Sequence, residues 1–412
     1  MTQELLSVIR DFVGRSVAPV LIEPGEEPVP LTEGSFSIEP AGTRILIQAW
    51  NESKTLTRRV TAVTRAGHGR LELAAERFGK TAAPLIIVDE ARPGRETTGR
   101  KAARAVLREQ FRRWLARQFP GWRIGDVTVE MDLEHTLSPV YPRALARRGG
   151  SGWAAMASPP GPAAADGLLT AALIWLDYLR HREHRTSIEG LALFVPAGED
   201  RTTCLRLRWL DPHATRVAVF TYDEQGWEEQ IDPAQHGNLD TRVDPPGALP
   251  DPPRDPTLPE AILERQVRRN LATIDAHLCP APVYGQVPAL AGVERGIMDL
   301  LAIDRGGRLA VIELKVTPEP RLPIQALDYW MRVRWHQRAG DFERMGYFAG
   351  KAISADPPRL LLVAPALEFH PTTETILRYF ASAIPVERVG LAVEWRREPR
   401  VLFRRRGAMP PH

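Results

Sequence analysis

Along the first 95 residues the apolar positions come in short alternating bursts. SFSIEP, TRILIQAW, TRRVTAVTR and APLIIVD alternate or run apolar and are broken by Gly, Asn and Pro, so residues 1 to 95 read as a β-rich domain. The period then lengthens. In GRKAARAVLREQFRRWLARQF (99 to 119), Ala103, Val106, Leu107, Phe111, Trp114 and Leu115 share one stripe, which predicts a basic amphipathic helix. Its arginines read as a solvated face rather than a phosphate-binding one.

Residues 96 to 239 mix the two periods and are expected to be an α+β region. DLEHTLSPVYPRALARRG predicts turn and helix, SPPGPAAADG (158 to 167) a flexible loop, and GLLTAALIWLDYLRHREH a largely buried helix. EGLALFVP, TTCLRLRWL and TRVAVFTY predict strands. Asp132, Glu134 and His135 are metal-ligand residue types, but without a convergent partner they read as an acidic helix start. A degenerate copy of the C-terminal domain could lie in this stretch, although the sequence does not demonstrate one.

DTRVDPPGALPDPPRDPTLPE follows, with seven prolines and no apolar periodicity, so residues 240 to 259 are expected to be an extended linker. Beyond it, residues 260 to 412 take on an α/β texture. PEAILERQVRRNLATIDAHL predicts a helix, RLPIQALDYWMRVRWHQRA a second and TTETILRYFAS a third; RLLLVAP, RVGLAVEW and RVLFRRR predict strands. The fold class expected of the whole chain is therefore multidomain, α/β and α+β.

Composition narrows this only slightly. The chain has 412 residues, 43% hydrophobic and 25% charged, and no apolar run long enough for a membrane helix. Its beginning lacks the basic and apolar regions of a signal peptide, and Cys204 and Cys279 have no metal-ligand spacing. Both points predict a cytoplasmic protein without membrane association. The net charge of +3 is a weak pointer to an anionic partner. Only five of the 54 basic residues are lysines, so a lysine within a buried strand suggests a role that arginine cannot fill.

One such lysine interrupts GIMDLLAIDRGGRLAVIELKV (296 to 316), two apolar strands around a turn centred on Gly306, a residue free to take a positive φ. Opposed residues then have numbers adding to about 612, a condition Asp299 and Glu313 meet. Their Cβ atoms should lie about 5 Å apart, and Lys315 points to the same face. Two adjacent carboxylates repel unless a proton or metal lies between them. Hard oxygen donors suit Mg²⁺ or Mn²⁺, and a neighbouring ammonium suits an anionic substrate. The structural alternative is an Asp299–Lys315 ion pair with Glu313 in solvent. It fits poorly between LLAI and LAVI, where both faces look covered.

GIMD followed by ELK resembles the core of the PD-(D/E)xK nuclease superfamily, the restriction-endonuclease-like fold. Glu264 and Asn270 in the preceding helix are similar to the pattern before the core of NucS-type endonucleases. Gln325 and Tyr329 in the following helix resemble the Q-x-x-x-Y element of RecB-type and NucS-type nucleases. The resemblance spans about residues 258 to 365, and nothing before 240 shares it. It implies a mixed central sheet flanked by helices and a Mg²⁺-dependent (or Mn²⁺-dependent) deoxyribonuclease. In that scheme Asp299 and Glu313 bind metal, Glu264 adds a ligand, and Lys315 positions or activates water. Gln325, Tyr329 and Arg332 would contact the DNA backbone or brace the site, with His336 continuing their face and the arginines of the C-terminal tail adding phosphate affinity. DNA is the implied partner, RNA is an alternative substrate, and a homodimer would be compatible. The residues before 240 would select the substrate, a partner or an activating signal. A competing expectation is a binding or regulatory protein that keeps the fold without cleavage; a third is a purely structural hairpin.

Overall fold

The computed structural model describes residues 2–23, 28–51, 54–67, 69–77, 80–81, 84–89, 95–236, 259–291 and 294–407. The chain divides into two compact units, 1–120 with 126–142, and 121–125 with 143–412. The expected breaks at 95 and at 240 to 259 are therefore not where the units part. Of the proline-rich segment, residues 240 to 258 lie outside the described residues, and Pro259 already opens a helix.

The first unit begins with α1 (Thr2–Arg15), which the β-rich reading did not anticipate. Next come β1 (Pro19–Ile22), β2 (Val29–Pro30), β3 (Phe36–Ala41), β4 (Arg44–Asn51), β5 (Lys54–Gly67), β6 (Arg70–Arg77), β7 (Lys80–Thr81) and β8 (Leu85–Asp89). They pair antiparallel in the order β2-β1-β8-β6-β5-β4-β3, with β7 on β6. One face of the sheet is covered by α1, whose Ile9 and Val13 join Ile45, Ile47, Val60, Leu73 and Ile87 in a single core. α2 (Arg95–Gln118) buries Leu107, Phe111, Trp114 and Leu115 as its stripe requires, but Ala103 and Val106 are exposed.

The second unit contains two six-stranded mixed sheets. In the first, β9 (Arg123–Ile124), β10 (Arg143–Arg148) and β11 (Ser151–Ala157) are antiparallel neighbours. α3 (Pro162–Arg182) crosses to β12 (Ser187–Pro196) and α4 (Arg201–Leu207) to β13 (Arg216–Tyr222), both parallel to β11, and β14 (Glu228–Ile231) closes the sheet antiparallel. The second sheet follows α5 (Pro259–Arg269) and α6 (Leu271–Ile274). β15 (Tyr284–Ala291), β16 (Glu294–Ile303) and β17 (Leu309–Leu314) are antiparallel, and α7 (Leu322–Ala339) and α8 (Asp341–Arg344) lead to β18 (Arg359–Pro365). α9 (Thr372–Leu377) leads to β19 (Val386–Leu391); β18 and β19 run parallel to β17, and β20 (Val401–Arg406) closes antiparallel. Strand for strand, the two sheets have the same order and sense.

Four local expectations change. Within SPPGPAAADG, Pro162 already opens α3, so the loop ends at Gly161. RALARR is β10 rather than helix: its residues favour helices, but ladders to β9 and β11 on both sides override that preference. TTCLRLRWL holds α4 rather than a strand, and the helix buries Thr203, Cys204, Leu205 and Arg206 in one turn. Asp132 and His135 form an exposed turn rather than a helix start, with Asp132 Oδ1 accepting from the His135 amide at 3.0 Å and Oδ2 facing its ring at 2.8 Å. Among the described residues, no helix is long and apolar enough to cross a membrane.

Candidate functional site

The β16–β17 hairpin turns at Asp304, whose Oδ1 accepts from the amides of Gly306 and Arg308. Gly307, not Gly306, takes the positive φ, +83°, and a Cβ there would lie 2.2 Å from the Ala352 carbonyl oxygen. Leu300 pairs with Ile312, Leu301 with Val311, Ala302 with Ala310 and Ile303 with Leu309, the register that adding to 612 requires. The ladder ends at Leu300–Ile312, and Asp299 and Glu313 are the residues that follow directly beyond that last pair.

Strand alternation sorts this hairpin into two faces. Leu300, Ala302, Ala310, Ile312 and Leu314 enter the core with Leu263 and Val267 of α5 and with Leu361 and Val389. Asp299 and Glu313 belong to the opposite face, toward α7, where they are 6% and 1% exposed. Asp299 Oδ2 accepts a 2.8 Å hydrogen bond from the Leu314 amide. Lys315 sits just past β17, with its amide donating to the Val363 carbonyl at 3.1 Å. Its Nζ lies 3.8 Å from Glu260 Oε1. Burial alone would lower the lysine pKa, but Glu260, Glu313, Glu319 and Asp299 outweigh it and raise it above the ordinary value, so the ammonium stays charged.

α7 supplies the other wall. Gln325 Nε2 donates to the Tyr329 hydroxyl at 3.1 Å, one helical turn away. Burial, with the charges of Glu313 and Asp299, raises the Tyr329 pKa well above its usual value, so it remains a neutral phenol. The structure thus brings Asp299, Glu313, Lys315, Gln325 and Tyr329 together.

The remaining expected residues have other immediate neighbours. Glu264 is buried on α5, and its Oε1 would meet a Cβ at Gly285 at 3.0 Å, which places it beside β15. The α5 carboxylate that reaches Lys315 is Glu260, one turn earlier. Sequence reading passed over it, although i and i+4 share a helix face. Arg332 is buried, and desolvation lowers its pKa to about 10 despite the charge of Asp328; its neighbours include Arg206 and Arg201, so it lies inside the α4–α7 contact rather than on a DNA-facing surface. His336 bonds Asp341 through Nδ1 at 2.6 Å and packs edge-on to Phe342, also inside the fold. In the tail, Arg404 serves the fold by binding Glu387 at 2.6 Å. Burial pushes the Cys204 thiol up to about 12, which leaves it unreactive.

Among the described residues, no group of three or more His, Cys, Asp or Glu forms a ready-made metal cage. Asp299 and Glu313 nevertheless fit a magnesium-type ion, which commonly takes one or two carboxylates and completes its shell with water and phosphate oxygens. No protein-family model, curated protein or solved structure matches this chain.

Proposed function

We propose that the chain is a Mg²⁺-dependent or Mn²⁺-dependent nuclease that hydrolyses phosphodiester bonds, in DNA before RNA. The observation that carries this reading is the buried Asp299 and Glu313, just beyond the last ladder pair, with the half-buried Lys315 ammonium close enough to feel both charges in an otherwise apolar hairpin. Burying two carboxylates side by side costs several kcal/mol, which a divalent ion between them would offset. The mixed sheet flanked by α5 and α7 is compatible with a restriction-endonuclease-like core.

Asp299 and Glu313 would hold the divalent ion, whose chemistry when bound is Lewis-acid stabilisation of the phosphate and a lowered pKa for coordinated water. Leu314 fixes the Asp299 carboxylate through its amide. Lys315, kept cationic by four carboxylates, offers a fixed positive charge to a phosphate oxygen and orients water by donating to it. In this environment it is an electrostatic group rather than a base. Gln325 and Tyr329 hold the opposite wall as neutral donors and acceptors. Glu260 keeps the lysine directed at the site.

The test is cleavage of labelled single-stranded and duplex DNA, flaps, mismatches and RNA with Mg²⁺ or Mn²⁺, comparing wild type with Glu313→Ala and Lys315→Ala. Cleavage lost in both variants supports the proposal and names the substrate class. Activity that survives in both removes the hairpin from the chemistry. Binding without cleavage by the wild type moves the reading to a silent nucleic-acid-binding protein.

A further inference from the structure

The two sheets of the second unit share strand order, strand sense and crossover positions, and their residues can be matched pair by pair. β12 and β18 both end in proline, Pro196 and Pro365, paired with Tyr222 and Leu391. Matching these strands sets Met156, paired with Leu193, where Glu313 pairs with Leu362. The Ser158 amide donates to Phe194 as that of Lys315 does to Val363. Arg143, opposite Met156, occupies the place of Asp299. Sequence echoes agree. Thr202-Thr203 and Leu207-Arg208-Trp209-Leu210 parallel Thr372-Thr373 and Leu377-Arg378-Tyr379-Phe380, and Leu176-Asp177-Tyr178 parallels Leu327-Asp328-Tyr329.

The contacts between these halves are reciprocal element by element, as a two-fold arrangement requires. α3 packs on α9, and α4 on α7. Leu210 and Phe380 form an antiparallel bridge in which Asp211 donates to Tyr379 and Ala381 to Trp209. Asp328 of α7 binds Arg206 of α4, while Asp177 of α3 lies 3.7 Å from Arg378, just past α9. Trp209 packs on Trp330, and Arg180 on Tyr379. Asp166 of α3 pairs with Arg321, the residue before α7. The helices that follow Ser158 and Lys315 therefore begin side by side.

We infer that residues 143 to 231 are a second, degenerate copy of the C-terminal half, and that one chain is an internal dimer with a single active centre which engages a duplex and cuts one strand per binding event. The degenerate centre cannot hold a cation: Arg143 replaces one carboxylate and stacks over Trp175 at 5.4 Å, Met156 replaces the other, and Ser158 replaces the lysine. A two-fold arrangement matches the two-fold symmetry of a duplex backbone, and one hydrolytic centre breaks one phosphodiester bond. The inference rests on the nuclease reading above.

The experiment follows supercoiled plasmid with the full-length chain and Mg²⁺, and weighs the complex of Lys315→Ala with a short duplex in EDTA by native mass spectrometry. Nicked circles should accumulate before linear product, the rate should double when protein doubles, and the complex should hold one chain. Linear product from the first time points at a rate that quadruples, or two chains per duplex, overturns the internal dimer while the nuclease stands. Cleavage confined to single strands also overturns it alone. A protein that neither cuts nor binds any probe sinks the nuclease reading, and this inference with it.

Discussion

Asp299 accepts a hydrogen bond from the Leu314 amide across the β16–β17 ladder, so one carboxylate both serves the candidate site and completes the hairpin. Its two roles separate by substitution. Asp299→Asn keeps an acceptor for that amide and should fold with near-native stability. Asp299→Ala orphans a buried donor and should lose about 1–3 kcal/mol in denaturant unfolding. Both should abolish thermal stabilisation by Mn²⁺; a shift that persists in Asp299→Asn would place the ion elsewhere.

Arg206 is 2% exposed as a side chain and binds Asp328 through Nε at 2.8 Å. Removing Asp328 leaves Arg206 buried with Asp166 as its remaining carboxylate, so Asp328→Ala should cost about 1–3 kcal/mol. The double variant Arg206→Met with Asp328→Leu should recover most of that loss in urea titrations. A double variant as unstable as the single one would show that the charges themselves hold the contact.

Gly307 meets the Ala352 carbonyl so closely that any side chain must displace the backbone. Gly307→Ala should lower stability by about 1–3 kcal/mol and broaden the amide signals of residues 304–308, which flank the hairpin turn. At Gly306 the nearest atom to a Cβ is Asp304 Oδ1 at 3.3 Å, so Gly306→Ala should be much milder. Equal losses from the two variants would contradict the turn geometry.

Burial lowers the His370 pKa from an ordinary 6.5 to about 4, so the folded chain keeps the imidazole neutral while the unfolded chain takes up a proton. Its stabilisation is full above pH 6.5 and is lost as pH falls toward 4; His336, also lowered, adds in the same direction. The melting temperature should therefore fall across that window. His370→Gln should flatten part of the slope, whereas an unchanged slope would remove His370 from the account.

The hairpin was legible in the sequence because its apolar alternation and a glycine-containing turn leave few registers, and one of them opposes Asp299 to Glu313. Which glycine takes the positive φ was not, since that depends on the approach of Ala352 from 45 residues away. Arg332 and His336 looked like a polar helix face. α7 is covered by its own sheet and also by α4 and α9, so its polar residues are buried by contacts that periodicity cannot reveal. The likeness of the two six-stranded sheets was hard to see for a related reason: their strands are interchangeable apolar runs, and Arg143, Met156 and Ser158 share nothing with Asp299, Glu313 and Lys315.

The bonds from Arg206 to Asp166 and Asp328 also bear on how this protein can be inherited or dismantled. A C-terminal half separated at residues 236 to 259 would lose Arg206, the partner of Asp328, and strip one side of α7 of its cover. The half that carries the candidate site is thus not a portable cassette. A fusion, truncation or transfer that preserves its fold has to carry the first six-stranded sheet along, which gives selection a reason to retain that sheet for its packing alone.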